Sequence, residues 1–293
     1  MSEKRWDVRG KRCLVTGGTS GIGEATAAGL LRAGAEVTLV VRSRVKAEAT
    51  RESLQKKTGN AAIEIVLCDF ASFASIRRAT AEILDRYPRI DVLVNNAGIV
   101  NLKREETRDG IEATFGVNHL GYFLFTRQLL ERLRESAPSR IVNVASHAHK
   151  FSKIDFDDLQ AEKNWGSMAA YGRSKGCNIL FTRELARLLD GSGVTANALH
   201  PGGVSTGLGS NNQGLLASLI QPIAMLFMKS AAKGARTSIY LATSDEVSGK
   251  SGGYFANCRE ASSSPQTQDD ALARRLWAIS EELCALEATA TSA

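Results

Sequence analysis

The sequence lacks the marks of a metal centre or a disulfide scaffold. Its five cysteines, Cys13, Cys68, Cys177, Cys258 and Cys284, are odd in number and form no CxxC pair or short metal spacing. That pattern excludes a zinc knuckle or a stapled secreted fold and fits a reducing, cytoplasmic setting. Histidine is scarce too. His147 and His149 have no suitable third ligand nearby, and His119 and His200 read as structural. No stretch reaches the ~18 apolar residues of a membrane span, and residues 1–10 are charged, without the apolar run of a signal peptide. No block of one charge occurs. Against 31 Asp+Glu stand 37 Lys+Arg, scattered to a net charge of +6, which describes a solvated surface and argues against nucleic acid as a partner. No internal repeat is visible.

What is present is an alternation of short apolar runs with amphipathic stretches, the signature of a parallel sheet covered on both faces. Strands are expected at 12–16, 36–41, 63–67, 92–95, 140–145 and 195–199, with a seventh at 253–256. The clearest helices span 110–135 and 169–189. The class is therefore α/β: a single Rossmann-type domain over 1–293, a doubly wound parallel sheet of about seven strands with helices on both faces and ligands at the carboxyl ends of the strands. Its core is expected at 10–257, with a C-terminal helix and tail at 268–293. Segments 207–214 and 261–270 read as loosely organised, and 287–293 as a frayed tail.

The first strand runs into Thr16-Gly17-Gly18-Thr19-Ser20-Gly21-Ile22-Gly23 and then a helix, the setting in which a glycine turn cradles a dinucleotide. Backbone N–H groups along Gly17, Thr19, Ser20, Gly21, Ile22 and Gly23 would face the pyrophosphate at the helix N-terminus. A glycine-rich loop without ligand is the alternative. The second strand ends Val41-Arg42-Ser43-Arg44, with no acid to bond the ribose hydroxyls of NAD, so Arg42 points to the extra phosphate of NADP. Asp69 closes the third strand, where it could accept from the adenine amino group or N-cap the helix near Ser72. Asn95-Asn96-Ala97-Gly98 ends the fourth strand in small residues that let the chain approach a flat ring, though a plain turn could use them as well. Tyr171 and Lys175 sit four apart on a helix and share a face. A free phenol ionises near pH 10, so an ammonium beside Tyr171 is expected to favour the phenolate. Of the serines nearby, Ser146 is selected because it ends a strand at the ligand-facing edge.

These motifs, in this order, resemble the single-domain short-chain dehydrogenase/reductase family, over roughly 10–257 and through Thr16–Gly23, Asn95–Gly98, Asn118, Ser146, Tyr171, Lys175 and Pro201-Gly202. Gly116-Val117-Asn118-His119-Leu120-Gly121 and Phe156-Asp157-Asp158-Leu159-Gln160 are similar to its retinol dehydrogenase-like branch. Members of that branch often carry an N-terminal membrane anchor, whereas this sequence begins almost directly at the first strand. Gly176 departs from the larger residue usual after the lysine. With Gly172 it lowers helix propensity by about 1 kcal/mol per glycine, which suggests close packing along that helix.

The resemblance implies that Ser146 holds the substrate oxygen, Tyr171 exchanges the proton, Lys175 also binds the nicotinamide ribose and Asn118 supports a water-linked proton relay. It also implies that Asn95, Ala97, Gly98, Pro201, Gly202, Val204 and Thr206 line the cofactor. The expected activity is an NADP(H)-dependent interconversion of a carbonyl and an alcohol, with NAD(H) as the other cofactor. The competing readings are an NAD-dependent alcohol dehydrogenase and a cofactor-binding sensor with little turnover. The apolar run at 214–228 falls where the family places its substrate lid (207–230) and reads as a lid over an apolar substrate, a buried helix or a peripheral membrane contact. A homodimer or homotetramer is expected through the helices around 123–133 and 177–188, the family's common interface.

Overall fold

The computed structural model describes residues 6–201 and 221–285, and for 221–230 the course of the backbone only. Strands β1 (Arg12–Thr16), β2 (Glu36–Val41), β3 (Ile63–Leu67) and β4 (Val92–Asn95) coincide with the apolar runs of the sequence. Next come β5 (Ser139–Val144), β6 (Val194–His200), β7 (Tyr254–Ala256) and β8 (Arg259–Glu260). They form one sheet in the order β3-β2-β1-β4-β5-β6-β7-β8, parallel except for the last pair. Eight strands thus replace the seven expected. The extra one is a two-residue return after Asn257 and Cys258, both at positive φ (51° and 58°), too short to leave a pattern in sequence.

Along β1 the side chains of Cys13 and Val15 enter one core and that of Leu14 the other, so both faces of the sheet are buried. One face is covered by α1 (Gly21–Arg32), α2 (Arg44–Thr58) and α7 (Gln221–Thr243), the other by α3 (Phe73–Arg86), α5 (Gly121–Glu135), α6 (Ser167–Leu188) and α8 (Asp270–Leu283). The direction of winding changes between β1 and β4, and the carboxyl ends of these strands open the crevice where ligands gather in such sheets.

Two expectations are corrected here. The single helix expected at 110–135 is broken into a short α4 (Ala113–Phe115), a π-turn at Gly116–Leu120 and α5. In that turn the Gly121 N–H reaches back five residues to the Gly116 carbonyl, an inserted residue that hydrophobic periodicity does not register. Segment 261–270, expected to be loose, is anchored. Gln266 exchanges two hydrogen bonds with the backbone of Ile154 (2.9 and 2.8 Å), and Gln268 donates to the Ser263 carbonyl. The apolar faces expected at a subunit interface are covered within the chain. Trp277 of α8 packs edge-on against Phe123 of α5 (4.9 Å between rings) and stacks on Phe181 of α6, and Arg127 pairs with Glu281 at 3.2 Å.

Of the apolar run at 214–228, residues from Gln221 onward belong to the helical backbone of α7, and the remainder lies outside the described residues. Segment 207–214, the tail at 287–293 and the expected cofactor residues Gly202, Val204 and Thr206 also lie outside them. Among the described residues no helix is long and apolar enough to cross a membrane.

Candidate active site

The glycine turn is locked to the end of β4. Thr16 Oγ1 accepts from the backbone N–H of both Asn96 (2.8 Å) and Ala97 (2.9 Å), while Asn96 Nδ2 donates to the Thr16 carbonyl at 2.9 Å. Two glycines are required by this closeness. A Cβ at Gly17 would lie 2.9 Å from Ala97 Cα, and one at Gly23 would run into the Gly17 carbonyl and Asn96 Nδ2. Gly21 differs: it has φ +56° and open space around it, on the side from which a ligand would approach. The Ser20 side chain makes no capping bond to the first turn of α1, which leaves that turn's N–H groups for an anion. Thr19 is half-buried and Ser20 exposed, whereas Ile22 is buried and presents only its backbone. These features fit the pyrophosphate of a dinucleotide. Gly23→Ala is expected to lower stability by about 1–3 kcal/mol, the usual cost of overpacking, read as a fall in Tm; an unchanged Tm would contradict the contact.

Arg42 is exposed at the end of β2, next to Ser43, whose side chain caps α2 by accepting from the Lys46 N–H. Asp69 does not cap a helix. Ser72 caps α3, while the Asp69 carboxylate accepts from the Ala71 N–H at 3.1 Å and faces Arg108 at 3.8 Å. Asn95 is fully buried, and its amide donates to Thr126 Oγ1 and Asn143 Oδ1. Its side chain therefore ties β4 to α5 and β5 and does not line the crevice. Pro201 follows β6 and is half-buried.

Asn118, Ser146, Tyr171 and Lys175 come together at the carboxyl ends of β4 and β5. Asn118 sits in the π-turn and clamps the loop after Gly98: Oδ1 accepts from the Ile99 N–H (2.8 Å), and Nδ2 donates to the Ile99 carbonyl and to Ser174 Oγ, both at 3.0 Å. Ser174 in turn donates to the Tyr171 carbonyl at 2.7 Å. A Cβ at Gly98 would lie 3.2 Å from Asn118 Oδ1 and 3.5 Å from Lys175 Nζ, so glycine lets the loop rest on both. Ser146 opens the 3₁₀ turn His147–Phe151, its Oγ accepting from the Ala148 N–H. That turn lies against α6 at Gly172, where a Cβ would collide with Ser152 Oγ and the Ala148 carbonyl; at Gly176 one would touch Ile154 at 3.0 Å. The two helix-weakening glycines thus let the Ser146 loop approach Tyr171.

Electrostatics departs from the simple expectation. Burial raises the Tyr171 phenol above its ordinary value, opposed by a hydrogen bond with Ser146. Burial also pushes Lys175 down to about 7. Its Nζ donates to the Val144 carbonyl at 3.0 Å and lies 5.8 Å from the Tyr171 ring centre. Desolvation therefore acts on both groups and outweighs any ammonium–phenolate attraction. A phenol bonded to a serine hydroxyl, beside a lysine that titrates near neutrality, can pass a proton to an oxygen held between Tyr171 and Ser146.

Sequence reasoning missed Thr16, Asn96 and Ser174 as positioning groups. The first two lie within motifs already singled out, but their roles depend on pairing β1 with β4, and no local signal marks Ser174. Among the described residues no cluster of side chains could hold a metal ion.

Residues 11–214 match the short chain dehydrogenase family. Retinol dehydrogenase 14 of Homo sapiens is 46% identical, over 95% of this chain and 88% of its own length. A solved protein of Mycobacterium paratuberculosis, of uncharacterised function, has 32% identity and a TM-score of 0.79, covering 97% of each chain. A Beutenbergia cavernae protein described as an NAD(P)-dependent gluconate 5-dehydrogenase, solved with bound NADP, has 26% identity and a TM-score of 0.67, covering 87% of this chain and 97% of that one. With these likenesses added to the glycine turn and the convergence of Ser146, Tyr171 and Lys175, the chain belongs to the short-chain dehydrogenase/reductase oxidoreductases, in their retinol dehydrogenase-like branch.

Proposed function

We propose that this enzyme interconverts an apolar aldehyde or ketone and the corresponding alcohol, with NADP(H) as cofactor and Tyr171 as general acid and base. The observation that carries the reading is the Tyr171 phenol, hydrogen-bonded to Ser146 and one helical turn from the buried Lys175. When bound, the nicotinamide supplies or accepts the hydride. The backbone of 17–23 would hold the pyrophosphate, Arg42 the additional phosphate, and Lys175 the ribose beside the ring. Ser146 orients the substrate oxygen, and Tyr171 protonates it in the reducing direction and deprotonates it in the other.

Arg42, with no acid at the end of β2, favours NADP(H), and the NADP-bound relative agrees with that choice. An apolar substrate is supported by the name of the retinol dehydrogenase relative and by large apolar side chains left exposed on the segments that carry the site. Leu102 follows the Asn118-clamped loop, Phe151 ends the Ser146 turn, and Met168 opens α6 before Tyr171. The five thiols are all free and suit a reducing cytoplasm.

The test is steady-state kinetics with a series of straight-chain aldehydes and both cofactors. We expect kcat/KM at least tenfold higher with NADPH than NADH, reversed by Arg42→Asp. We also expect a rise with chain length approaching about fourfold per methylene, the equivalent of ~0.8 kcal/mol for each CH₂ buried. Equal use of the two cofactors would overturn the NADP assignment, and a preference for small or sugar-like carbonyls the apolar one. Tight NADPH binding without turnover of any carbonyl would favour a sensor instead.

A further inference from the structure

We propose that residues 261–284 form a brace that positions Ser146 and Asn118, acting through His149 and His119 as positioning residues. The inference rests on the roles proposed above for Ser146, Asn118 and Tyr171.

His149 is buried three residues beyond Ser146. Its Nδ1 lies 2.6 Å from the Ser146 carbonyl, and its Nε2 lies 3.0 Å from the backbone nitrogen of Ser264. A carbonyl only accepts and a backbone N–H only donates, so the ring is the neutral tautomer with its proton on Nδ1. Both ring nitrogens are used, one on each side of the link. His119, next to Asn118, is bonded on one side only, its Nδ1 having no hydrogen-bond partner among the described residues. It is fully buried, and its Nε2 lies 2.9 Å from Ser280 Oγ on α8. Ser280 Oγ also lies 2.7 Å from the Leu276 carbonyl, so this one hydroxyl joins His119 to the backbone of α8. Burial holds His119 down to about 3 and lowers His149 as well, which keeps both rings neutral.

The serine-bearing segment is itself rigidly seated. Gln266 pins Ile154, Trp277 is packed between Phe123 and Phe181, and Glu281 is paired with Arg127. The family match ends at residue 214, well before this segment. Two loops from distant parts of the chain, each carrying a residue of the candidate site, are therefore gripped from one C-terminal element through one imidazole each. Small displacements of such groups are costly to rate, of order a hundredfold per ångström.

The experiment uses the full-length enzyme with NADPH, octanal as carbonyl probe, and the variants H149F, H149N and S280A. H149N keeps a donor for the Ser146 carbonyl but is too short to reach Ser264. Expected for H149F and H149N is a fall in kcat of about tenfold or more, with NADPH Kd by fluorescence titration within twofold of the parent, because the glycine turn does not touch the brace. S280A is expected to lower kcat about fivefold. In a Tyr171→Phe background H149F should cost nothing further, since the brace acts through the Ser146–Tyr171 pair; losses that multiply would mark a purely structural role and overturn the proposal. Amide exchange within 146–151, which needs no turnover, should quicken severalfold in H149N, the scale of one lost hydrogen bond. Parent-like kcat and exchange in H149N would show that Ser264 positions nothing, and parent-like kcat in S280A would do the same for α8. Should Tyr171→Phe itself retain turnover, the proposed chemistry fails; should it lose turnover while the brace variants keep it, only the brace fails.

Discussion

Tyr171→Phe is expected to lower kcat by about a thousandfold, within the ~10²–10⁴ range that a positioned general acid contributes. NADPH affinity should stay within a factor of two. The substitution keeps the ring on α6 and removes only the hydroxyl that bonds Ser146. Ser146 Oγ retains its bond from the Ala148 N–H, so the loop should keep its course and Tm should change little. Because the loss falls on a proton transfer and not on uniform binding, kcat and kcat/KM should fall together. Turnover within tenfold of the parent would remove Tyr171 from the chemistry, and a large fall in Tm would mean that the variant reports on folding instead.

Lys175→Met is expected to abolish turnover while raising Tm by about 5–10 °C at pH 6. Lys175 is 3% exposed, and burial alone depresses its ammonium from 10.5 to about 7. At ~1.36 kcal/mol per pKa unit that depression corresponds to roughly 5 kcal/mol of destabilisation carried by the charged form. Losing the bond to the Val144 carbonyl offsets about 1 kcal/mol of the gain, and Asn178 Nδ2 still faces that carbonyl at 3.5 Å. The sign with pH follows from proton counting. Between pH 7 and 10.5 the unfolded chain binds the proton that the folded chain has shed, so the parent gains stability as pH rises through this window. Below pH 7 the lysine is charged in both states and its full cost remains. The advantage of the Met variant should therefore be largest at pH 6 and shrink towards pH 10, as measured by thermal unfolding across that range. A Met variant less stable than the parent at pH 6, or an advantage that does not change with pH, would refute the account. Confirmation would make Lys175 a group retained at a cost to the fold.

Much of the architecture was legible because its signals are local. β1 to β4 are short, mostly apolar runs next to charged or turn residues, so their ends could be read to the residue. The glycine turn and the four-residue spacing of Tyr171 and Lys175 are likewise short-range patterns, each with a geometric meaning of its own. Ser146 was found by its place at a strand end. Gly172 and Gly176 announced close packing because glycine in a helix needs a compensating contact.

Only the tertiary structure decided what those residues meet. Asn95 looked like part of the crevice, but strand alternation and the packing of α5 turn its amide into the core. Asp69 could have been either an adenine contact or the cap of the helix near Ser72, until the start of α3 took Ser72 as its cap. The ammonium of Lys175 was expected to govern Tyr171, yet the depth at which α6 is buried reverses the balance, since desolvation depends on everything packed around a group and not on the neighbour four residues away. The cover of α8 over α5 and α6 joins residues some ninety or more positions apart, and the links from His149 to Ser264 and from His119 to Ser280 join residues more than a hundred apart. By itself the sequence determined the order of elements, the turn chemistry and which side chains were candidates for the site, because these rest on interactions within a few residues. Burial, proton affinity and the pairing of remote segments were decided by the closed fold, because each depends on which surfaces the chain brings together.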